Sequence, residues 1–128
     1  MIVSAKIFLK NKEGKYLTLR RSGTDPIRPL TWDLPGGLLE NEEDPTEGVK
    51  REAKEEAGID IAEVRALIVQ SGKNKSGVFG IQILFVGEVE NPEVILSYEH
   101  DQFKWVTKEE FLELESSEKL NKAAHLLS

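Results

Sequence analysis

Residues Val49–Asp60, VKREAKEEAGID, place three glutamates on one side of a short helix. At about 100° per residue, Glu52, Glu55 and Glu56 share one arc at spacings i, i+3 and i+4. Like charges at these spacings each cost a helix roughly 0.2–0.5 kcal/mol. Glu56 also borders the apolar stripe of the helix, where an unpaired carboxylate costs more. The stretch therefore predicts a helix whose acidic side needs a compensating partner.

The same helix has clear start and stop signals. Asp44 suits the N-cap, Pro45 suits the first helical position, and Glu47 completes a capping box. Gly58 is typical of the residue that follows a helix C-terminus. The sequence therefore predicts a helix over about Pro45–Ala57.

Alternating apolar and polar residues on both sides of this helix indicate strands. The predicted strands are SAKIFLK (4–10), KYLTLRR (15–21), a short TWDL (31–34), AEVRALIVQS (62–71), GVFGIQILFVGEVE (77–90) and two within VILSYEHDQFKWV (94–106), separated by a loop at EHD. Late helices are predicted in TKEEFLEL (107–114), which begins with a capping box, and in SEKLNKAAHLLS (117–128). The order predicts a single domain over residues 1–128, a mixed β-sheet with helices of α/β or α+β class.

The composition is that of a globular protein, with 39% hydrophobic and 31% charged residues among 128. No apolar run approaches the ~18–20 residues of a membrane span, and no signal-peptide pattern is present. The absence of cysteine excludes disulfides, thiolate metal sites and cysteine nucleophiles. These features favour a cytoplasmic setting and no membrane partner.

The net charge of −6 argues against binding to a nucleic acid duplex. An anionic small molecule remains a possible substrate, because a bound metal ion reverses the sign of a local acidic patch. Many of the acids cluster between positions 40 and 56. A solvated acidic face is the simpler interpretation of such a cluster.

Oxygen ligands suit hard divalent cations, and Mg²⁺ commonly binds through a few carboxylates together with substrate phosphates. Carboxylates one helical turn apart form a rigid cradle for such an ion, which removes their repulsion. The dipeptide Gly36–Gly37 supplies bare backbone just before the acidic run, where a carbonyl or amide can approach closely. Spacing alone leaves both a metal site and a solvated helix open.

A longer pattern bears on this choice. The segment Gly37–Ile59 resembles the Nudix box of the Nudix hydrolase superfamily, G-x5-E-x7-R-E-U-x-E-E-x-G-U, where U is apolar. All seven fixed residues match, namely Gly37, Glu43, Arg51, Glu52, Glu55, Glu56 and Gly58. The flanking TWDLPGG and EHDQFKWVTKEEF are also similar to family segments. The resemblance covers essentially the whole chain and implies the Nudix fold, a mixed sheet sandwiched between helices, with a loop–helix–loop carrying the metal site.

The resemblance also implies roles for individual residues. Glu52, Glu55 and Glu56 would bind Mg²⁺ or Mn²⁺, with the Gly36 carbonyl as a further ligand, and Arg51 would orient the glutamates. The implied reaction is attack of metal-activated water on a phosphorus of a diphosphate linkage.

Other box positions are implied to be structural. Glu43 would support the junction of loop and helix, and Gly37 and Gly58 would serve the backbone. Two positions depart from the commoner pattern, since Glu42 stands where glycine is frequent and Gly48 where alanine is frequent. A glycine at position 48 weakens a helix by up to about 1 kcal/mol.

The general base has two candidates. Glu55 is one, and Glu99, in the loop YEHDQF, is the other, because related enzymes often use a glutamate there. An exposed acid in a turn is the simpler interpretation of Glu99. The neighbouring His100 is expected to be solvated.

Substrate contacts are assigned to arginines that precede the glycine pair. Arg20, Arg21 and Arg28 lie where phosphate partners would be useful, although each also suits an ordinary surface position. Trp32 and Trp105 are expected in the core rather than stacked on a base.

Markers of several Nudix subclasses are missing, which leaves a resemblance to the MutT-like group. That group hydrolyses nucleoside triphosphates, including oxidised ones, to monophosphate and pyrophosphate. The alternative is a hydrolase of a nucleoside diphosphate linked to a sugar or other moiety, of ADP-ribose or nucleotide-sugar type. A non-catalytic nucleotide-binding module is a third hypothesis. The partner is a small-molecule nucleotide, and the chain is expected to be a monomer or homodimer.

Overall fold

A computed structural model describes all residues of the chain, Met1–Ser128. Seven strands and three helices follow one another along it. They are β1 (Ile2–Lys10), β2 (Tyr16–Arg21), β3 (Trp32–Asp33), β4 (Gly36–Leu38), α1 (Pro45–Ala57), β5 (Val64–Lys73), β6 (Phe79–Glu88), β7 (His100–Val106), α2 (Lys108–Glu113) and α3 (Glu118–Ala124).

The strands form one mixed sheet in the order β3-β2-β1-β6-β5, with β4 also paired to β1 and β7 to β2. The central pair, β1 and β6, is parallel along the whole length of β1. On its other side β1 meets β2 only at Lys10↔Tyr16 and meets β4 at Ser4–Lys6. The two strands β1 and β2 therefore diverge, and the gap between them admits β4 and the site described below.

Helices cover both faces of this sheet, as the sequence predicted. One hydrophobic cluster lies beneath α1 and includes Ile7, Leu17, Val49 and Phe85. The other lies beneath α2 and α3 and includes Phe8, Phe111 and Leu120. A fully buried side chain of this size contributes about 1.5–3 kcal/mol relative to exposure.

The helix α1 has the bounds that the caps predict, Pro45–Ala57. The Asp44 side chain accepts a hydrogen bond from the Glu47 N–H at 3.4 Å. The reciprocal bond of a capping box is missing there, so that part of the prediction is wrong, whereas both bonds of the box form at Thr107 and Glu110 in α2. Gly58 ends α1 with φ +68°, in the left-handed region.

Two details of the strand predictions are wrong. Residues 94–98 form no strand, because their backbone binds the end of α1 instead: the Ile95 N–H donates to the Ala57 carbonyl at 2.9 Å and the Ser97 N–H to the Glu56 carbonyl at 3.0 Å. The loop at EHD ends early, because β7 already begins at His100. None of the helices combines the length and the apolar character that crossing a membrane requires.

Candidate active site

Two glycines bring β4 against α1. Gly36 has φ +143°, and a Cβ there would lie 2.1 Å from the Ala5 carbonyl oxygen. A Cβ on Gly37 would lie 3.0 Å from the Glu52 carboxylate. The missing side chains therefore allow the backbone of β4 to face the acidic side of α1 at close range.

Glu56 is the buried member of the acidic group. It is 8% exposed, and its Oε1 accepts a hydrogen bond from the Gly36 N–H at 2.9 Å. Burial raises the pKa of Glu56 to about 8, although the nearby Lys6 ammonium and the Gly36 N–H act in the opposite direction. Glu56 therefore does not belong to a solvated acidic face, and a cation at this carboxylate would relieve the cost of its burial.

Glu52 lies half-buried beside Gly37. Burial raises its pKa, the Arg51 guanidinium lowers it, and the charges of Glu55 and Glu99 raise it again. The negative charges of two elements, α1 and the loop before β7, therefore act on one carboxylate. Such a concentration of charge is typical of a functional site.

Arg51 binds the acids on the outer side of α1. Its Nε and Nη2 donate to the two oxygens of Glu43 at 2.8 and 2.9 Å. Its Nη1 donates to Glu55 at 3.1 Å and lies 3.2 Å from Glu52 Oε1. The Glu43 bonds raise the pKa of Arg51 most, and the same pair lowers the pKa of Glu43 to about 2. Part of the charge on the acidic helix is therefore compensated within the chain.

Whether this region suits a divalent cation depends on the oxygen atoms that could bind the ion. No three carboxylates converge closely enough to enclose an ion, because Arg51 holds Glu55 outward while Glu56 binds Gly36. The donors are nevertheless of the right chemistry, since all are oxygens of the kind that Mg²⁺ and Mn²⁺ prefer. Glu56, buried without a full countercharge, and Glu52, beside the bare Gly37 backbone, are the ones best placed.

Glu99 lies exposed in the turn before β7, and its carbonyl accepts a hydrogen bond from the Ser22 N–H at 3.0 Å. His100 differs from its expectation, because it is only 9% exposed. Burial lowers the pKa of His100 and favours the neutral imidazole, and its Nδ1 has no hydrogen-bond partner. The imidazole is packed into the interior where β7 begins.

The three arginines proposed as substrate contacts differ in their surroundings. Arg20 forms a bidentate pair with Asp101, both bonds at 2.8 Å. Arg21 binds Asp25 at 2.9 Å and Asp33 at 3.2 Å. The half-buried Arg28 is the one whose guanidinium forms no salt bridge.

The two tryptophans are both half-buried. Trp105 packs against the cluster beneath α1, in keeping with the expected core position. Trp32 belongs to neither hydrophobic cluster, so its expected core position is wrong; the Lys104 ammonium lies 5.1 Å from its ring centroid.

One buried ion pair was not predicted from the sequence. Lys6 Nζ lies 2.9 Å from Asp33 Oδ2, and its charge acts on Glu56. Burial raises the pKa of Asp33, but Lys6 and then Arg21 outweigh it, so the carboxylate stays ionised. The one signal in the sequence was Lys6 in the middle of the apolar strand SAKIFLK, because a lysine inside a buried strand needs an acidic partner.

The family model of the NUDIX domain matches residues 2–126. The chain therefore belongs to the NUDIX domain family, and the expectation drawn from the box is confirmed.

Relatives agree with this assignment. A solved MutT protein of Methanosarcina mazei Go1 superposes with a TM-score of 0.86 at 32% identity, covering 97% of this chain and 90% of that one. A MutT-like protein of Streptomyces ambofaciens is 42% identical over 57 residues, 44% of this chain and 34% of that protein. An RNA pyrophosphohydrolase of Acidiphilium cryptum is 37% identical over 62 residues, 48% of this chain and 37% of that protein. The match thus spans about a third of the length of these two curated relatives, and the relatives support a Nudix hydrolase of MutT-like type.

Proposed function

We propose that this protein is a divalent-metal-dependent pyrophosphohydrolase that cleaves a nucleoside triphosphate, including an oxidised one, to monophosphate and pyrophosphate. The observation that carries the proposal is the buried Glu56 beside Glu52, facing the bare backbone of Gly36 and Gly37. An acid with its pKa raised to about 8 by burial is costly to maintain in a merely structural role.

In this mechanism Glu52 and Glu56, with the Gly36 carbonyl, would hold Mg²⁺ or Mn²⁺, and Glu55 would join them only on moving away from Arg51. When bound, the cation lowers the pKa of a coordinated water and neutralises charge on the phosphates. Arg51 holds Glu55 at 3.1 Å and Glu43 at 2.8 Å, and thereby orients the glutamates from the solvent side. The loop–helix junction is held in turn by Glu43 Oε1, which accepts from the Glu40 N–H at 3.0 Å.

The reaction needs a base for the attacking water. The water oxygen forms a bond to phosphorus, the bridging P–O bond breaks, pyrophosphate leaves with the bonding electrons, and a carboxylate takes the proton. Glu55 and Glu99 are the two candidates, because the charge of each reaches Glu52. Glu55 is already engaged by Arg51, whereas Glu99 forms no salt bridge, so Glu99 is the freer acceptor of a proton.

Two alternative substrates share this chemistry. The relative from Acidiphilium cryptum is named an RNA pyrophosphohydrolase, so a triphosphate at an RNA end is one. The net charge of −6 weighs against a long polyanion and favours a single nucleotide. A nucleoside diphosphate linked to a sugar is the other, because its diphosphate bond presents the same reacting group.

The test is product analysis on a panel of nucleoside triphosphates, 8-oxo-deoxyguanosine triphosphate, ADP-ribose, nucleotide sugars, dinucleoside polyphosphates and a 5′-triphosphorylated RNA. Each compound is incubated with Mg²⁺, with Mn²⁺ and with chelator. Metal-dependent release of pyrophosphate and monophosphate from a nucleoside triphosphate is the expected result. Cleavage confined to a diphosphate-linked sugar or to RNA would keep the site and replace the substrate. Tight nucleotide binding without any turnover would instead favour a binding module.

A further inference from the structure

Arg21, the last residue of β2, binds one carboxylate in the loop that follows β2 and one in β3. Its Nε donates to Asp25 Oδ2 at 2.9 Å and its Nη1 to Asp33 Oδ2 at 3.2 Å. The Arg21 side chain is 25% exposed and its two partners are 15% and 9% exposed. Its guanidinium is therefore committed to the protein and has little freedom to bind a substrate.

The second oxygen of Asp25 organises the backbone of the same loop. Asp25 Oδ1 accepts hydrogen bonds from the N–H groups of Ile27 and Arg28, both at 2.9 Å. A carboxylate with one oxygen on a guanidinium and the other on two backbone amides fixes the direction of a turn. Asp25 thereby links the Arg21 side chain to the backbone of Arg28.

Arg28 is held from its other side as well. Its carbonyl accepts a hydrogen bond from the Thr31 hydroxyl at 2.8 Å, and Thr31 is buried. The same loop begins beside the segment of Glu99, since the Ser22 N–H donates to the Glu99 carbonyl at 3.0 Å. Arg28 thus presents an unpaired cation from a backbone fixed on both sides, on a loop anchored to the segment of Glu99.

We propose that Arg28 is the arginine that binds a phosphate of the substrate, and that Arg21 and Asp25 are positioning residues that hold it in place. This inference rests on the proposed function and refines it, because it assigns the substrate contact to one of the three candidate arginines. A preorganised backbone leaves fewer rotatable bonds to be fixed on binding, which favours the bound geometry. A guanidinium also matches the planar, bidentate recognition of phosphate.

The test compares four proteins: wild type, Arg28→Met, Asp25→Asn and the double variant. Asn at position 25 keeps an oxygen for the two backbone amides but faces Arg21 with an amide, which removes the ion pair. With the nucleoside triphosphate turned over fastest in the panel, Arg28→Met is expected to raise KM about tenfold with kcat little changed. Asp25→Asn is expected to raise KM several-fold, and the double variant to match Arg28→Met, because both changes act through one side chain.

Multiplication of the two single effects in the double variant, or an unchanged KM in Arg28→Met, would overturn the inference. Asp60→Asn is the control, since it removes one negative charge from the exposed pair with Lys54 and leaves this loop intact. Thermal midpoints of all variants separate a loss of folding from a change in KM. Should the wild type hydrolyse nothing, the proposed function fails, and the same four proteins are compared by calorimetric titration with Mg²⁺-pyrophosphate. Equal affinities there would overturn the role of Arg28 as well.

Discussion

The Glu56 carboxylate is buried and accepts a hydrogen bond from the Gly36 N–H, yet its only nearby cation, Lys6, is already paired with Asp33. Glu56→Gln keeps the shape and an acceptor oxygen for the Gly36 N–H, and it removes the charge that would bind a divalent cation. We expect turnover to fall at least about a hundredfold, in keeping with the loss of a ligand that acts in the transition state.

Steady-state assays at saturating Mg²⁺ provide the measurement for Glu56→Gln. Glu47→Gln, an exposed change on the same helix, is the matched control and should retain wild-type turnover. Full activity in Glu56→Gln would remove Glu56 from the proposed site. The corresponding change at Glu55 tests another of the ligands that the box implies.

Glu42 adopts φ +62°, in the left-handed region that favours glycine. The sequence already marked this position, because glycine is frequent there in the family. A non-glycine residue in this conformation costs roughly 1–2 kcal/mol, partly offset by the greater chain entropy that glycine adds to the unfolded state. Glu42→Gly is therefore expected to raise the free energy of unfolding by about 0.5–1 kcal/mol.

Urea denaturation is the measurement for Glu42→Gly. Asn41→Gly is a neighbouring control without a positive φ, and it should destabilise the protein instead. Equal effects at the two positions would show that backbone strain at Glu42 is not what sets its stability.

At this scale the spacing of Glu52, Glu55 and Glu56 predicted one acidic side of a helix, and left open whether it binds a metal ion or is solvated. It was not sufficient to show that Arg51 would bind Glu43 with two hydrogen bonds and hold Glu55 outward. Nor did it reveal Asp33 as a partner of Lys6, since 27 residues separate them and only the fold brings them together. Local patterns identify a residue type, whereas its partner depends on tertiary structure.

Among the elements, α1 was predicted best because its caps lie within the helix sequence itself. The three-residue β4 was missed, since Gly36, Gly37 and Leu38 have no strand propensity and pair with β1 through backbone alone. The segment 94–98 was misassigned as a strand because its hydrogen-bond partners are carbonyls at the end of α1. Such pairings are invisible to apolar alternation.

Gly48 shows why helix propensity alone misjudges α1. A Cβ at this position would lie 2.4 Å from Leu39 Cδ2 and 2.9 Å from Glu43 Oε1. Gly48→Ala is expected to deliver less than the ~1 kcal/mol that propensity predicts, because Leu39 and the Arg51-bound Glu43 must move.

A double-mutant cycle with Leu39→Ala measures this coupling. In the Leu39→Ala background, Gly48→Ala should stabilise the protein more than it does in the wild type, and the gain should approach about 1 kcal/mol. An identical effect in both backgrounds would show that Leu39 does not restrict the position. The free energies are obtained from urea denaturation.

For the whole molecule, the shifted carboxyls set opposite limits of stability with pH. The pKa of Asp25 is lowered to about 2, so the stability it contributes is present above about 4 and is lost as the pH falls toward 2. The pKa of Glu56 is raised to about 8, so its contribution is fully present below about 4.5 and is lost as the pH rises through 8. From these two groups the metal-free protein is therefore expected to be most stable near pH 4–4.5 and to lose stability as the pH rises from there to about 8.

Thermal midpoints across pH 3–10, with chelator and with Mg²⁺, test this expectation. Mg²⁺ should raise the midpoint most above pH 7, because a bound cation favours the ionised Glu56. In Glu56→Gln the decline between about pH 4.5 and 8 should be shallower and the response to Mg²⁺ smaller. A decline over this range that is the same in both proteins would assign it to another group.

The parallel pairing of β1 with β6 has a consequence for biosynthesis. Residues 2–10 are made before their parallel partner, residues 79–88, which follows about 70 residues later. At roughly 5–20 residues per second of synthesis, the apolar residues 7–9 of β1 lack that partner strand for on the order of 4–14 s. The central pairing must also close a long loop before it yields any contact, which slows folding. Nascent chains that lack residues 79–88 are thus the species in which this strand is exposed to chaperones or to aggregation.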